Sequence, residues 1–154
     1  MSDWKRITKE ISFDKLPSQM VSAIHHHIEQ HNLGPILSDV LICIQTDSEK
    51  VKKSLFGGTE IVQVDAAVTP RWLLWVIHGT KTQTAVLSAQ LINITVQDYA
   101  QTSFAKLVPD SGIEVSGLFT DNRESASAFI GLEDNAVGNN FKEMIIKAAQ
   151  DAKK

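Results

Sequence analysis

The sequence predicts an α+β fold, mainly β, and three observations carry that prediction. From Asp39 onward the chain breaks into short runs rich in Val, Ile, Leu and Thr, separated by Gly, Pro, Asn and Asp. One segment of helical period stands before those runs and another after them. The length of 154 residues, 43% hydrophobic and 21% charged, suits a single globular domain able to bury a core unaided.

Taken in order, the first element is a helix over about 16–31. At 100° steps Leu16, Met20, Ala23, Ile24, His27, Ile28 and His31 fall on one arc, while His25, His26 and Glu29 lie away from it. Ser12 or Asp14 is the expected cap, and Asn32, Gly34 and Pro35 end the helix. A strand follows at Val40 to Thr46, fading into the charged stretch Asp47 to Lys53 before Gly57-Gly58. A single long helix through Leu37, Leu41, Ile44, Val51 and Leu55 is the rival reading, disfavoured because the apolar residues are consecutive instead of striped.

Glu60 to Thr69 alternates as a half-buried strand, and Arg71 to Ile77 is apolar on both faces, so it is covered on both sides. His78-Gly79-Thr80-Lys81 turns the chain into Thr82 to Ser88, and Leu91 to Gln97 alternates with Ile92, Ile94 and Val96 inward. The segment 98–111 has no period and is the longest expected loop, closing on Pro109-Asp110-Ser111-Gly112. Ile113 to Thr120 and Glu124 to Leu132 form a hairpin across Asp121-Asn122-Arg123. Val137, Phe141, Met144, Ile145 and Ala148 define a terminal helix with Asp134 or Asn135 as cap and lysines at its negative end.

This order of a leading helix, about seven strands and a closing helix resembles the bacterial pleckstrin-homology-like (PH-like) domains. The resemblance rests on Val68-Thr69-Pro70-Arg71-Trp72-Leu73-Leu74-Trp75 as the turn from second to third strand. It rests also on Ala128-Phe129-Ile130-Gly131-Leu132 leading into Phe141-Lys142-Glu143-Met144-Ile145. It implies two near-orthogonal antiparallel sheets, of four and three strands, as a split barrel or sandwich capped by the last helix. The chain then divides into an N-terminal helical segment, 1–36, and a PH-like domain, 37–154. The physics agrees, since an amphipathic helix laid over an open sheet corner covers apolar side chains and strand ends together.

The resemblance also implies a ligand mouth formed by the loops after its first, third and sixth strands. Those loops carry Lys50, Lys52 and Lys53, then Lys81, then Arg123, which are the candidate anion-binding residues. Asp47, Glu49, Asp121 and Glu124 share the loops and oppose that field. The second strand opens with Glu60, Gln63 and Asp65 instead of basic residues, so a solvated mixed-charge surface competes with a lipid site.

Other chemistry is weighed residue by residue. His27 and His31 stand at the i, i+4 spacing that can share zinc, but there is no His-Glu-x-x-His, and both sit within the apolar arc. Packing is therefore expected of His27 and His31, with His25 and His26 crowded beside them off the arc, and no metal or other cofactor is expected. Cys43 is the only cysteine, which excludes an intrachain disulfide, and its apolar run predicts a buried thiol. Neither a Gly-x-Ser-x-Gly elbow nor a phosphate-binding loop is present. A net charge of -3 argues against nucleic acid as a partner. A polar start, no long apolar stretch and the single cysteine suit a cytoplasmic protein with no membrane span.

The expected function is a non-catalytic cytosolic binding or assembly module. Trp72 and Trp75 point to opposite faces of one strand, and Val40 to Thr46 and Thr82 to Gln97 carry no charge that would protect an edge. The first helix can cover one such surface and a second subunit another, so self-association is expected, with another protein as a further possible partner. Binding of an anionic ligand or phospholipid headgroup is the alternative, and an unrecognised enzyme the third.

Overall fold

The computed structural model describes residues 3–51, 60–81 and 83–154. Among them the chain runs β1 (Trp4–Glu10), α1 (Ser18–Gln30), β2 (Ile42–Lys50), β3 (Ile61–Val68), β4 (Trp72–Gly79) and β5 (Ala85–Gln90). It continues through β6 (Ile94–Asp98), β7 (Gly112–Gly117), β8 (Ala126–Gly131) and α2 (Ala136–Asp151). The fold is α+β, mainly β. One antiparallel sheet has the order β1-β2-β3-β4-β5 and the second the order β6-β7-β8. An N-terminal and a C-terminal helix accompany them.

The two faces of the large sheet explain its composition. Toward the second sheet point Ile42, Ile44, Ala66, Val68, Leu73 and Trp75, which meet Ile94, Ile113, Val115 and Ile130 in one core closed by Phe141, Ile145 and Ala148 of α2. Toward α1 point Cys43, Ala67, Leu74 and Val76, which pack on Leu16, Met20 and Ile24. Trp75 is fully buried in the first core and Trp72 borders the second, so the opposed tryptophans are covered on opposite faces, as their spacing requires. That cover comes from within the chain, and α1 supplies it on one side, where its apolar arc made it the nearest candidate.

Several elements depart from the sequence reading. Residues 4–10 are a strand paired along β2 from Trp4↔Lys50 to Glu10↔Ile44, within a segment read as helical. This strand brings the large sheet to five strands, where the resemblance implies four. Its inward residues Arg6 and Thr8 are polar, so it carries no apolar alternation for a reader to find. β2 continues through the charged stretch to Lys50, because Thr46 and Ser48 turn inward to Thr8 and Arg6 while Asp47 and Glu49 face outward. The rival long helix is thereby excluded.

Leu91 to Gln97 is not one strand. Leu91–Asn93 forms a 3-10 turn on which the chain leaves the large sheet for the small one. Alternation breaks there, so Leu91 is buried and Ile92 is 57% exposed instead of inward. The Lys153 ammonium secures this crossing by donating to the carbonyls of Leu91 (3.0 Å) and Ala149 (3.1 Å) and to that of Ile94 (2.5 Å). Gly117, with φ at 140°, lies so close to the crossing that a Cβ would strike the Asn93 carbonyl oxygen.

The helix ends follow the capping rules in part. Asn135 caps α2, its Oδ1 accepting from Gly138 N at 2.8 Å. Neither Ser12 nor Asp14 caps α1: Pro17 holds that position, and Asp14 lies in a separate 3-10 turn, Phe13–Lys15. At the other end Asn32 takes φ 53° and Leu33 N donates to Ile28 O at 3.0 Å, a left-handed helix stop. No helix among the described residues is long and apolar enough to cross a membrane.

Candidate functional site

The expected cationic mouth divides in the structure. Lys50 ends β2, its ammonium 6.0 Å from the Trp4 ring centroid, and Lys81 follows β4, whose last residue Gly79 pairs with Val62. Arg123 lies in the β7–β8 loop, which is tied to β5 by Thr120 N donating to Ser88 O at 2.9 Å. Ser88 opposes Leu74, near the start of β4, so Arg123 approaches the large sheet far along the strand from Lys81. It lines a shallow depression with Asp121 and Glu124, acidic neighbours that offset its charge. Lys52 and Lys53 lie outside the described residues.

A cleft of about 500 Å³ opens where β4 begins, lined by Pro70, Arg71, Trp72, Gln90, Ile92 and Asp151 among others. Its one cation and one carboxylate stand on largely apolar walls, and Ile92 reaches it because the 3-10 turn aims that side chain outward. Sequence reading placed Ile92 in the core and therefore missed this wall.

The segment between β6 and β7 holds a different surface. Asp98 Oδ1 accepts from Ala100 N at 3.0 Å, starting one 3-10 turn, and Thr102 Oγ1 donates to Tyr99 O at 2.7 Å. Tyr99 is buried, and its hydroxyl donates to Val108 O at 2.6 Å. A second 3-10 turn, Ser103–Lys106, follows, with Leu107 N and Val108 N both donating to Phe104 O. These bonds fix a loop that presents apolar side chains to water: Phe104 is 61%, Leu107 81% and Val108 62% exposed. The Tyr99 ring meets Phe129 of β8 edge-on at 4.9 Å, joining the loop to the outer face of the small sheet, where Phe129 is itself 39% exposed. Beside it runs β8, Ala-Ser-Ala-Phe-Ile-Gly, an uncharged strand at the end of the sheet order. The signal in the sequence was three large apolar residues in a stretch without period.

The histidines separate by face. His25 and His26 are exposed on α1 and His27 is buried. His27 Nε2 lies 2.8 Å from Ser88 Oγ, and Ser88 Oγ lies 2.5 Å from Thr120 Oγ1. Burial holds the His27 imidazole below its ordinary pKa, against a raising influence from Asp121, with His31 adding to the lowering. One turn on, His31 Nε2 stands 2.7 Å from Asp121 Oδ1, and the two imidazole centroids are 4.6 Å apart. His27 packs as its place on the arc predicts. The carboxylate beside His31 comes from a distant loop, so helical spacing gave no sign of it.

Cys43 is buried, and its thiol is pushed up to about 12, first by burial and then by the nearby Asp65. An unreactive thiol follows.

Comparison of the chain with protein-family models, with curated proteins and with solved structures finds no match.

Proposed function

We propose that this chain is a PH-like, non-catalytic assembly module that pairs with a second copy of itself through the β6–β7 loop and the outer edge of β8. The PH-like reading is supported by the order of elements: a four-stranded run β2–β5, a three-stranded run β6–β8 and the closing helix α2, with β1 as an addition at the edge. The assembly reading rests on one observation, the exposed apolar group Phe104, Leu107, Val108 and Phe129 beside an uncharged strand edge.

An edge strand without charges of its own, next to exposed aromatic and aliphatic side chains and with the Arg6 guanidinium 5.4 Å from the Phe129 ring centroid, favours pairing with another strand. A two-fold axis perpendicular to β8 pairs each edge antiparallel with its own copy and brings the same four side chains into the contact from both sides. Each side chain starts 39–81% exposed, so burying that exposed part brings a share of the roughly 1.5–3 kcal/mol of a full burial, and the sum over both copies works against an association cost of roughly 4–15 kcal/mol. Light scattering coupled to gel filtration should give twice 17.0 kDa for the native chain at micromolar concentration. Leu107→Glu should return 17.0 kDa with the circular dichroism spectrum of the native chain, because Leu107 is 81% exposed within one chain. A native chain that stays monomeric across that range overturns the proposal, as does a dimer indifferent to Leu107→Glu and Phe104→Glu together.

A further inference from the structure

We propose that His27, His31 and Asp121 form a binding site for zinc or a similar divalent transition-metal ion, joining α1 to the β7–β8 loop. Each residue offers one donor atom, and the three donors lie within 4.8 Å of one another. In a tetrahedral site with bonds of about 2.0–2.1 Å, donors stand about 3.3 Å apart, so closing the separations by up to about 1.5 Å brings all three around one ion. The residues that must move are the ones with room. His31 is about a quarter exposed and Asp121 about half exposed, while His27 is fixed by the core.

The chemistry of the set suits such an ion. Two imidazoles and a carboxylate are intermediate donors of the kind zinc accepts, and three protein donors leave one tetrahedral position for water. Burial favours neutral His27, the form that ligates. Ser88 Oγ also has Thr120 Oγ1 as partner, so no buried hydroxyl is orphaned whichever His27 nitrogen turns to the metal. One carboxylate–imidazole contact, Asp121 to His31, and one imidazole–hydroxyl contact, His27 to Ser88, also satisfy these groups without metal, and the test must separate the two states.

The measurement is titration of untagged native protein with Zn²⁺ by calorimetry and with Co²⁺ by visible absorption. One equivalent should bind, with the intense visible bands of four-coordinate cobalt, and zinc should raise the melting temperature by mass action. Loss of an outer partner of a ligand already weakens metal affinity about 10–100-fold, so His31→Ala and Asp121→Ala should each weaken zinc by at least tenfold. Both positions are partly exposed, which keeps these variants folded, and circular dichroism verifies it. The exposed pair His25→Ala and His26→Ala should leave binding unchanged. Absence of saturable zinc binding overturns the proposal. So does binding that survives Asp121→Ala and His31→Ala, or that disappears in the His25→Ala and His26→Ala variant.

Discussion

Asp65 is the residue whose chemistry is least at ease with its surroundings. It lies on β3 opposite Gln45 and Val76, is 2% exposed, and neither carboxylate oxygen has a hydrogen-bond partner. Burial pushes its pKa up to about 6; Gln45 acts against this, Asp47 adds to it, and His78 and Lys9 draw it back. The folded state therefore holds the proton more tightly than the unfolded chain, whose aspartates titrate near 3.9. Stability from this group is complete below that value and is lost as pH rises through about 6, the reverse of a salt-bridged carboxylate. A shift of this size corresponds to about 3 kcal/mol against the ionised form. Asp65→Asn should then stabilise the protein at pH 7 by roughly 1–3 kcal/mol and lose most of that advantage near pH 4. Urea melts at the two pH values decide it, and an Asn variant less stable than the native chain at pH 7 would refute the assignment.

Among the elements, β1 shows how a strand can be held without an apolar signature. Arg6 Nε donates to Asp110 Oδ1 at 3.0 Å and Nη2 to Oδ2 at 2.6 Å, a two-pronged pair with each side chain only 11% exposed. Nη1 donates to Ser48 Oγ at 2.6 Å, and Gly131 leaves the guanidinium room that a Cβ would fill. Thr8 N and Glu133 Oε1, and Glu133 N and Thr8 Oγ1, complete a polar seam between β1 and the segment after β8. Removing one member of a buried pair leaves the other without its opposite charge, so Arg6→Ala and Asp110→Ala should each cost about 3 kcal/mol or more. The double variant should cost clearly less than their sum in the same urea melts, and additive or negligible losses would show that the seam is not coupled. The seam also marks the limit of sequence reading. α1 and α2 were legible because their buried residues are mostly apolar and periodic, and β4 because it is apolar on both faces. β3 was legible on one face, its Asp65 and Ala67 being buried on the other, whereas β1 buries Arg6 and Thr8, whose partners are remote in sequence. The same holds for the candidate sites: His27 and His31 are visible as one helical face, Asp121 is not, and Phe104, Leu107 and Val108 gain meaning only beside Phe129.

At the scale of the molecule, the large sheet is a shared wall between two cores, and this arrangement predicts how the protein unfolds. Phe141 closes the core between the sheets and Met20 the core beneath α1, and each is fully buried. The cores meet through adjacent residues of the same strands: Trp75 faces one and Leu74 and Val76 the other. Losing α1 would leave Leu74, Val76, Cys43 and Ala67 open to water, so partial detachment is costly and the layers should unfold together. Phe141→Ala should cost about 3–5 kcal/mol and Met20→Ala about 2–5 kcal/mol, although they sit on opposite sides of the sheet. In each variant the transition seen by far-ultraviolet circular dichroism should coincide with that seen by tryptophan fluorescence, which reports on Trp75 within the inner core, Trp72 beside the outer one and Trp4 on β1. If Met20→Ala instead produced an early loss of helical signal while the fluorescence change stayed at its native midpoint, α1 would be a separately unfolding layer and the wall between the cores would not couple them.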